Sequence, residues 1–357
     1  MRVLDYQNLL DLKDGAAIFS SGGGGSPEAG KRIVDDLVSE GYTVRLVDPT
    51  MVPFNAKVVN FACVGATTAI EYDPAAAVRT LKELEESVGF STYATIPVEL
   101  GGFNTLVAVD VAARCGIPVV DGDGAGRSVP EVHLKVYTLD DVPMTPMVVS
   151  DTHAKNVIII REALDFKACE RMTRLLATEW NQSAYTARRI LTGSQVRTSP
   201  IQLSLTRSLQ IGELLRKSES PIETLLEETG GLKLFEGTVI FVERKTEFGF
   251  TSIDIEIKGL RQYDGSTLEL KVKNEVLVAY RDGSLVAVAP DIITPLHFKT
   301  GKCITAERIK EGDRLIVLGL SAPQKWKTNK GLELWKDVLE RSGIMESYVA
   351  IEQLARA

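Results

Sequence analysis

The sequence of 357 residues is poor in the side chains that build metal and redox centres. It contains three histidines and four cysteines. The cysteines are widely spaced and form no CxxC pair, which argues against a zinc knuckle or a redox dithiol. We therefore expect buried, reduced thiols and no redox cofactor. The small number of histidines also excludes a histidine-rich metal site.

The chain also lacks long apolar segments and an excess of positive charge. Its longest apolar runs, such as Val157–Ile160 with its neighbours, are far shorter than the roughly 20 residues that span a bilayer. The first 13 residues are of mixed polarity and do not resemble a signal peptide. With 41 basic and 48 acidic residues the net charge is -7, which gives no general attraction to nucleic acid. We expect a cytoplasmic protein with neither a membrane nor a nucleic acid as partner.

The remaining composition is that of an ordinary globular protein. Hydrophobic residues make up 44% of the chain and charged residues 25%, which excludes a disordered chain, a collagen-like chain and a coiled coil. The length corresponds to about two domains.

The first part of the chain alternates between strand and helix patterns. Short apolar runs predict strands at residues 16–20, 43–48, 57–64, 93–98 and 117–120, with helical patterns between them. This alternation is typical of a mainly parallel sheet with helices on its faces. Helices are expected to follow over residues 166–178, 183–191 and 201–217. We predict that residues 1–230 form one α/β domain that carries the site.

The composition changes after Gly230 and Gly231. The following segments are rich in Val, Ile, Phe and Thr and are separated by turns such as Asp264-Gly265 and Asp282-Gly283. Short strands at this spacing predict an all-β domain, a sandwich or a small barrel, over residues 231–325. Residues 326–357 are expected to form a C-terminal helical segment that packs back, with a helix over residues 332–340.

Four consecutive glycines, Gly22, Gly23, Gly24 and Gly25, follow the first predicted strand. Ser26 is then a natural N-cap of the next helix, with Pro27 as its first residue. Backbone N–H groups in such a run can hold an anion or a polarised carbonyl. No Lys-Ser or Lys-Thr pair follows, so the run is not a Walker loop and no nucleotide is expected. We expect the glycine run (residues 22–25) to bind substrate. The structural alternative is a tight turn where helix and sheet approach closely.

Two polar residues, Glu99 and Asn104, come directly after another predicted strand. In open α/β sheets, ligands bind beyond the carboxyl ends of the strands. We therefore expect Glu99 and Asn104 to face the same crevice as the glycine run. The structural alternative is that Asn104 caps a helix while Glu99 is solvated.

The densest polar segment is the acidic loop (residues 121–127), which follows the strand predicted at residues 117–120. It contains Asp121, Asp123 and Arg127 with three glycines. Paired carboxylates can hold a divalent metal, or can act as a general base and its orienting partner. Arg127 can bind a substrate carboxylate or one of the aspartates. We predict that this loop is catalytic and that its aspartates are the candidate metal ligands, if a metal is used at all.

Other residues are weaker candidates. Glu131 and His133 lie just beyond the acidic loop, and His133 is expected to be structural or at the surface. Cys63 ends a predicted strand, but no histidine is near it in sequence, so a nucleophilic role is not expected. Asn274 and Glu275 punctuate strands of the second domain. They can face the α/β domain, but turn formation explains them nearly as well.

Taken in order along the chain, these motifs resemble those of the S-methyl thiohydantoin desulfurase-like family. The resemblance rests on Ser21 with the glycine run, Ser26 and Pro27; on residues 99–104; on Gly116-Ile-Pro-Val-Val with the acidic loop; on Asn274-Glu275; and on Pro290-Asp-Ile-Ile. It extends from about Leu10 to about Ile351. Residues 116–127 are its most specific part.

The resemblance implies an α/β domain with the site, an all-β domain packed on it, and hydrolytic removal of sulfur from a thiohydantoin ring. It also implies an association with hydantoinase or oxoprolinase enzymes. Such hydrolysis needs a base to activate water and donors to stabilise negative charge. Asp121, Asp123 and Glu99 are the candidate catalytic residues, with the glycine run, Asn104 and Arg127 binding a small cyclic amide or thioamide. We expect Asp121 or Asp123 to be required for turnover and Cys63 to be dispensable.

Two other functions are compatible with the sequence. The chain can be a non-catalytic subunit that binds a hydantoinase-like partner or a small ligand. It can also be a nucleotide-assisted hydantoin or oxoproline enzyme, although the sequence after the glycine run argues against that. We further expect a homo-oligomer.

Overall fold

The computed structural model describes residues 1–66, 68 and 71–354. In these residues the first half of the chain runs in the order β1 (Arg2–Leu4), α1 (Tyr6–Ile18), α2 (Pro27–Ser39), β2 (Val44–Val47), β3 (Lys57–Gly65), α3 (Pro74–Val88), β4 (Ala94–Pro97), α4 (Asn104–Arg114), β5 (Val119–Val120), β6 (Gly122–Asp123), α5 (Val136–Leu139), β7 (Met147–Ser150), β8 (Val157–Ile160), α6 (Phe166–Glu179) and β9 (Ser183–Thr192). The second half continues with α7 (Gly193–Val196), β10 (Ile201–Gln202), α8 (Ser204–Lys217), α9 (Pro221–Thr229), β11 (Leu232–Glu247), β12 (Phe250–Gly259), β13 (Thr267–Lys273), β14 (Glu275–Arg281), β15 (Ser284–Val288), β16 (Ile292–His297), β17 (Arg314–Leu320), α10 (Asn329–Arg341) and α11 (Ile351–Leu354).

The first sheet has eight strands in the order β1-β2-β5-β4-β3-β9-β7-β8. Its centre, formed by β2, β5, β4 and β3, is parallel. The strands on either side, β1 at one edge and β9, β7 and β8 towards the other, pair antiparallel. The sheet is therefore mixed, with the predicted parallel arrangement at its centre. Helix α4 packs across β2, β3 and β4, while α3 and α6 pack against β9.

The second sheet has seven strands, all antiparallel, in the order β15-β14-β13-β12-β11-β17-β16. It curls so that β16 comes close to β14, which gives a half-barrel. Along β13 every second residue is buried, the period that a strand with one face on a core requires. The prediction of an α/β part followed by an all-β part is confirmed, while the division at residues 230 and 325 stays a prediction.

Several helices begin or end at residues that favour helix termini. Helix α2 starts with Ser26 accepting a hydrogen bond from the Ala29 N–H and with Pro27 as its first residue. Helix α3 begins after Asp73, whose carboxylate accepts from two N–H groups, and ends at Gly89 with φ 77°. Helix α10 forms where the closing helix was predicted. None of the helices that the structure describes is long and apolar enough to cross a membrane.

Two predicted elements were wrong. Residues 16–20 belong mostly to helix α1, because this apolar run is the buried end of a helix that packs closely on α8. Residues 183–191 form strand β9 rather than a helix. Short apolar runs do not distinguish helix from strand by periodicity alone. The glycine run consequently follows a helix and not a strand.

Candidate functional site

A cavity lies where the two sheets meet. It is lined by the glycine run, by the carboxyl ends of β3 and β4, by the loop of residues 129–135, and by Asn274 and Glu275 at the start of β14. The empty space within it is about 500 Å³, which includes space that is open to solvent. We refer to it as the site cavity.

The structure brings together only part of the predicted site. Gly24, Gly25, Glu99 and Asn104 line the site cavity. Gly22 and Gly23 lie beside it, and the carbonyl of Gly22 accepts a hydrogen bond from Ala306. The acidic loop leaves the same edge of the first sheet, directly after β5, but its charged side chains do not line the cavity.

Glu99 is held in place by three donors. Its Oε1 accepts from Asn104 Nδ2 at 2.8 Å, and its Oε2 accepts from the Val129 N–H at 3.2 Å and from Lys135 Nζ at 3.1 Å. Asn104 also accepts from the N–H of Cys63 at 3.0 Å. Asn104 thus links the ends of β3 and β4, and Glu99 is buried beside a cation rather than solvated.

Lys135 is buried with Glu99. Burial lowers the pKa of the Lys135 ammonium, and the neighbouring Glu99 carboxylate opposes that effect. The two groups form an ion pair with side chains almost completely shielded from water.

Glu275 is a second buried carboxyl group in the site cavity. Its Oε1 accepts from the Ser128 hydroxyl at 2.6 Å, whereas its Oε2 has no hydrogen-bond partner among the described residues. Burial, followed by repulsion from Glu99, raises the pKa of Glu275 to about 8. The group is therefore protonated at neutral pH and able to donate. It was not among the predicted site residues, although the Asn274-Glu275 motif was a sign of it.

The glycines allow the chain segments to approach closely. A Cβ on Gly23 would lie 2.5 Å from Cγ of Glu275, and a Cβ on Gly24 would lie 2.5 Å from Cα of Gly101. The run therefore has a packing role, as the structural alternative proposed. The N–H groups of Gly24 and Gly25 donate to no other group in the part of the chain that the structure describes, so they are available to a ligand.

Asp121 and Asp123 serve the backbone elsewhere. Asp121 accepts from the N–H of Thr206 at 2.9 Å, in the first turn of α8. Asp123 accepts from the N–H groups of Ala125 and Gly126 at 2.8 and 2.7 Å. Burial raises the pKa of Asp123 to about 6, although hydrogen bonds lower it. Neither aspartate lines the site cavity, although Asp123 is close enough to Glu99 for the Glu99 charge to contribute to its raised pKa.

The arginines that line the site cavity are Arg174 and Arg188, both buried, and not Arg127. Arg127 donates from Nη1 to the carbonyls of Pro290 and Asp291 at 2.6 and 2.8 Å and lies over the ring of Trp335. It thereby joins the acidic loop to the second sheet. Arg188, on β9, lines the site cavity, and its Nε has no partner among the described residues. Burial lowers the pKa of Arg188 to about 10, so it remains charged at neutral pH.

One group of described residues has the geometry to hold a metal ion. Ligand atoms of Glu131, His133 and Glu170 all lie within 4.8 Å of one another. However, Glu131 is bound by both terminal nitrogens of Arg341 at 2.8 and 3.0 Å, and Glu170 is paired with Arg174 at 2.7 Å. Both carboxylates are thus already neutralised. Asp121 and Asp123, the predicted metal candidates, are not part of this group. His133 is buried, and neither of its ring nitrogens has a hydrogen-bond partner among the described residues.

Cys63 lines the site cavity as a neutral thiol. Its Sγ lies 3.4 Å from the hydroxyl of Ser183. Burial raises the pKa of Cys63 to about 11. A nucleophilic cysteine needs the opposite shift.

These features define a class of protein with two parts: a mixed α/β sheet and a curled antiparallel sheet that together enclose a polar cavity. The chain belongs to the S-methyl thiohydantoin desulfurase-like family. The family's models described as "S-Me-THD-like, N-terminal domain" and "S-Me-THD-like, C-terminal domain" match residues 7–161 and 164–336. The resemblance drawn from the motifs is therefore confirmed.

A solved structure has the same fold. The crystal structure of a protein from Chromobacterium violaceum superposes with a TM-score of 0.84 at 22% sequence identity, covering 98% of this chain and 100% of that chain. At this identity the likeness concerns the fold alone. No curated protein matches the chain.

Proposed function

We propose that the chain hydrolyses a thiohydantoin-type ring in the site cavity, replacing C–S–CH₃ or C=S by C=O. One observation carries this proposal. Two buried carboxyl groups face the same cavity: Glu99 is paired with Lys135, whereas Glu275 carries a raised pKa and has an oxygen without a hydrogen-bond partner among the described residues. Carboxyl groups whose environments separate their protonation states are typical general acid and base pairs. Membership of the family supports the choice of ring.

Glu99 acts as the base and Glu275 as the acid when water adds to the ring. For an S-methyl thiohydantoin, the water oxygen bonds to the ring carbon of the C=N bond while one water proton passes to Glu99. Glu275 gives its proton to the ring nitrogen. In the collapse of this adduct the hydroxyl proton returns to Glu275 as C=O forms, and Glu99 protonates the departing sulfur. One water is consumed, one methanethiol leaves, and both carboxyl groups regain their starting states.

Other groups of the cavity bind and polarise the ring. The N–H groups of Gly24 and Gly25 and the ammonium of Lys135 supply positive charge near the reacting carbon, where preorganised donors lower a barrier most effectively. Arg188 Nε, which has no partner in the described part of the chain, can bind the ring's polar edge or an acidic substituent. The sequence predicted this binding role for Arg127. The hydantoin product is a cyclic amide, so an amide-opening hydrolase is the partner we propose.

The experiment uses the purified chain with a panel of S-methyl thiohydantoins, thiohydantoins and hydantoins. We expect methanethiol or sulfide to be released in equal amount to hydantoin, with one oxygen from labelled water entering the ring carbonyl. Hydantoins themselves should be left intact. Binding of the ring compounds without any turnover would contradict the proposal and indicate the non-catalytic role.

A further inference from the structure

Glu275 is fixed from two sides by the other part of the chain. On one side Ser128, which is completely buried, donates to Oε1 at 2.6 Å. On the other side Gly23 leaves no more than the space that the Glu275 side chain needs. Ser128 is itself anchored, because its carbonyl accepts from Arg127 Nε at 2.8 Å. Arg127 in turn binds the second sheet at Pro290 and Asp291.

We propose that Ser128 is a positioning residue of the reaction, whose hydroxyl occupies Oε1 of Glu275 and thereby directs the acidic O–H at Oε2 into the site cavity. The inference rests on the proposed function. A protonated carboxyl group has one carbonyl oxygen and one hydroxyl oxygen. Because Ser128 donates to Oε1, that oxygen acts as the carbonyl and the proton resides on Oε2. Without Ser128 the group can rotate and present either oxygen.

The same hydrogen bond affects the protonation of Glu275. The groups that face Glu275 are Glu99 and Lys135 of the site cavity and Arg127 and Ser128 of the adjoining loop. Glu99 and burial favour the neutral carboxyl, whereas Ser128, Arg127 and Lys135 favour the charged form. Removal of the Ser128 donor should therefore move the deprotonation of Glu275 to higher pH. If Ser128 were only structural, its removal would change the stability of the protein but not the pH at which Glu275 is deprotonated.

The test compares Ser128→Ala and Ser128→Thr with the wild-type chain. For Ser128→Ala we expect kcat to fall about tenfold, the effect of one lost hydrogen bond. We also expect the alkaline limb of the pH profile to move upward. Ser128→Thr keeps a hydroxyl and should restore both. If Ser128→Ala does not fold, Ser128→Cys, with its weaker donor, should give a smaller change in the same direction.

A second readout does not depend on turnover. The infrared band of the protonated Glu275 carboxyl, identified by its loss in Glu275→Gln, is followed against pH in the wild-type chain and in Ser128→Ala. A higher midpoint in Ser128→Ala supports the inference, and an unchanged or lower midpoint overturns it. If the midpoint moves but no ring compound is hydrolysed, the contact between Ser128 and Glu275 stands while the proposed function fails.

Discussion

At the residue scale, Glu99 and Glu275 share one cavity but have different neighbours. Glu99 accepts three hydrogen bonds, one of them from the Lys135 ammonium. Glu275 accepts one, from a neutral hydroxyl, and lies close enough to Glu99 for repulsion to favour its protonated form. Both side chains are buried to a similar degree, so it is the neighbouring donors and charges that distinguish the two carboxyl groups.

Glu275 should make the stability of the protein depend on pH. Its pKa is about 8 in the folded chain against an ordinary value of 4.5. An acid with a raised pKa contributes stability below its unfolded pKa and loses it as pH rises through the folded pKa. The free energy of unfolding of the wild-type chain should therefore fall, relative to that of Glu275→Gln, between about pH 4.5 and pH 8. Urea unfolding of both proteins at pH 5 and pH 8 measures the difference, and a gap that is the same at both pH values would contradict the assignment.

Asp121 should matter for stability more than for turnover. Because its carboxylate binds the first turn of α8, Asp121→Ala should cost about 1 kcal/mol of unfolding free energy, as for a lost helix cap. Turnover of the folded variant should stay within a few-fold of wild type. Thermal unfolding and methanethiol release measure the two effects. A folded but inactive Asp121→Asn or Asp123→Asn would instead restore the sequence-based prediction that these aspartates are catalytic.

From the sequence alone, only those site residues can be predicted whose position follows from a local pattern. Glu99 and Asn104 could be found because both follow a strand at the carboxyl edge of a parallel sheet. Asp121 and Asp123 look equally catalytic in sequence, but their carboxylates satisfy nearby backbone N–H groups. Glu275 lies 176 residues after Glu99 (275 minus 99), so only the docking of the second sheet brings the two together.

At the element scale, the glycine run and the segment after β4 form one packed unit. The backbones of Gly24 and Gly101 are in contact, and the carbonyl of Gly24 accepts from the N–H groups of Phe103 and Asn104. The start of α4 is therefore held by the glycine run. These contacts also hold the glycine run in place. The run therefore keeps its position in the site although helix α1, and not the expected strand, precedes it.

Two alanine substitutions separate the packing roles of these glycines. In Gly101→Ala the new Cβ would lie 2.6 Å from backbone atoms of Gly24, so the backbone must shift and both stability and turnover should be lost. In Gly23→Ala the new Cβ meets the flexible side chain of Glu275 at 2.5 Å. We expect reduced turnover there with a much smaller change in melting temperature. Equal losses of stability in the two variants would show that Gly23 is needed by the fold and not by Glu275.

At the scale of the whole molecule, neither sheet carries the site alone. Strand β9 of the first sheet supplies Arg188, the segments that follow β4 and β6 supply Glu99 and Lys135, and the second sheet supplies Glu275. Arg127 and Trp326 connect the two halves, since Arg127 binds carbonyls of Pro290 and Asp291 and Trp326 donates to the carbonyl of Ala125. The change of composition after Gly231 predicted the two kinds of sheet, but not the surface on which they meet.

Arg127 and Arg188, which are both buried, provide a matched pair of variants. Arg127→Met should lower the unfolding free energy by about 3 kcal/mol or more, because it leaves buried carbonyls without donors. Arg188→Met should leave a folded protein with a raised KM, because Arg188 faces the site cavity and its Nε has no partner among the described residues. Denaturant unfolding and steady-state kinetics distinguish them. A raised KM in Arg127→Met without loss of stability would instead show that Arg127 binds the substrate, as the sequence predicted.

The pairing of Glu99 and Glu275 as base and acid is tested most directly by methanethiol release from an S-methyl thiohydantoin. The measurement compares the wild-type chain with Glu99→Gln, Glu275→Gln and, as a control outside the site cavity, Asp123→Asn. Loss of a general acid or base typically costs about 10²–10⁴ in rate, so both glutamate variants should lose at least about a hundredfold while Asp123→Asn, if folded, retains most of its activity. Full activity in Glu275→Gln, or loss confined to Asp123→Asn, would contradict the assignment.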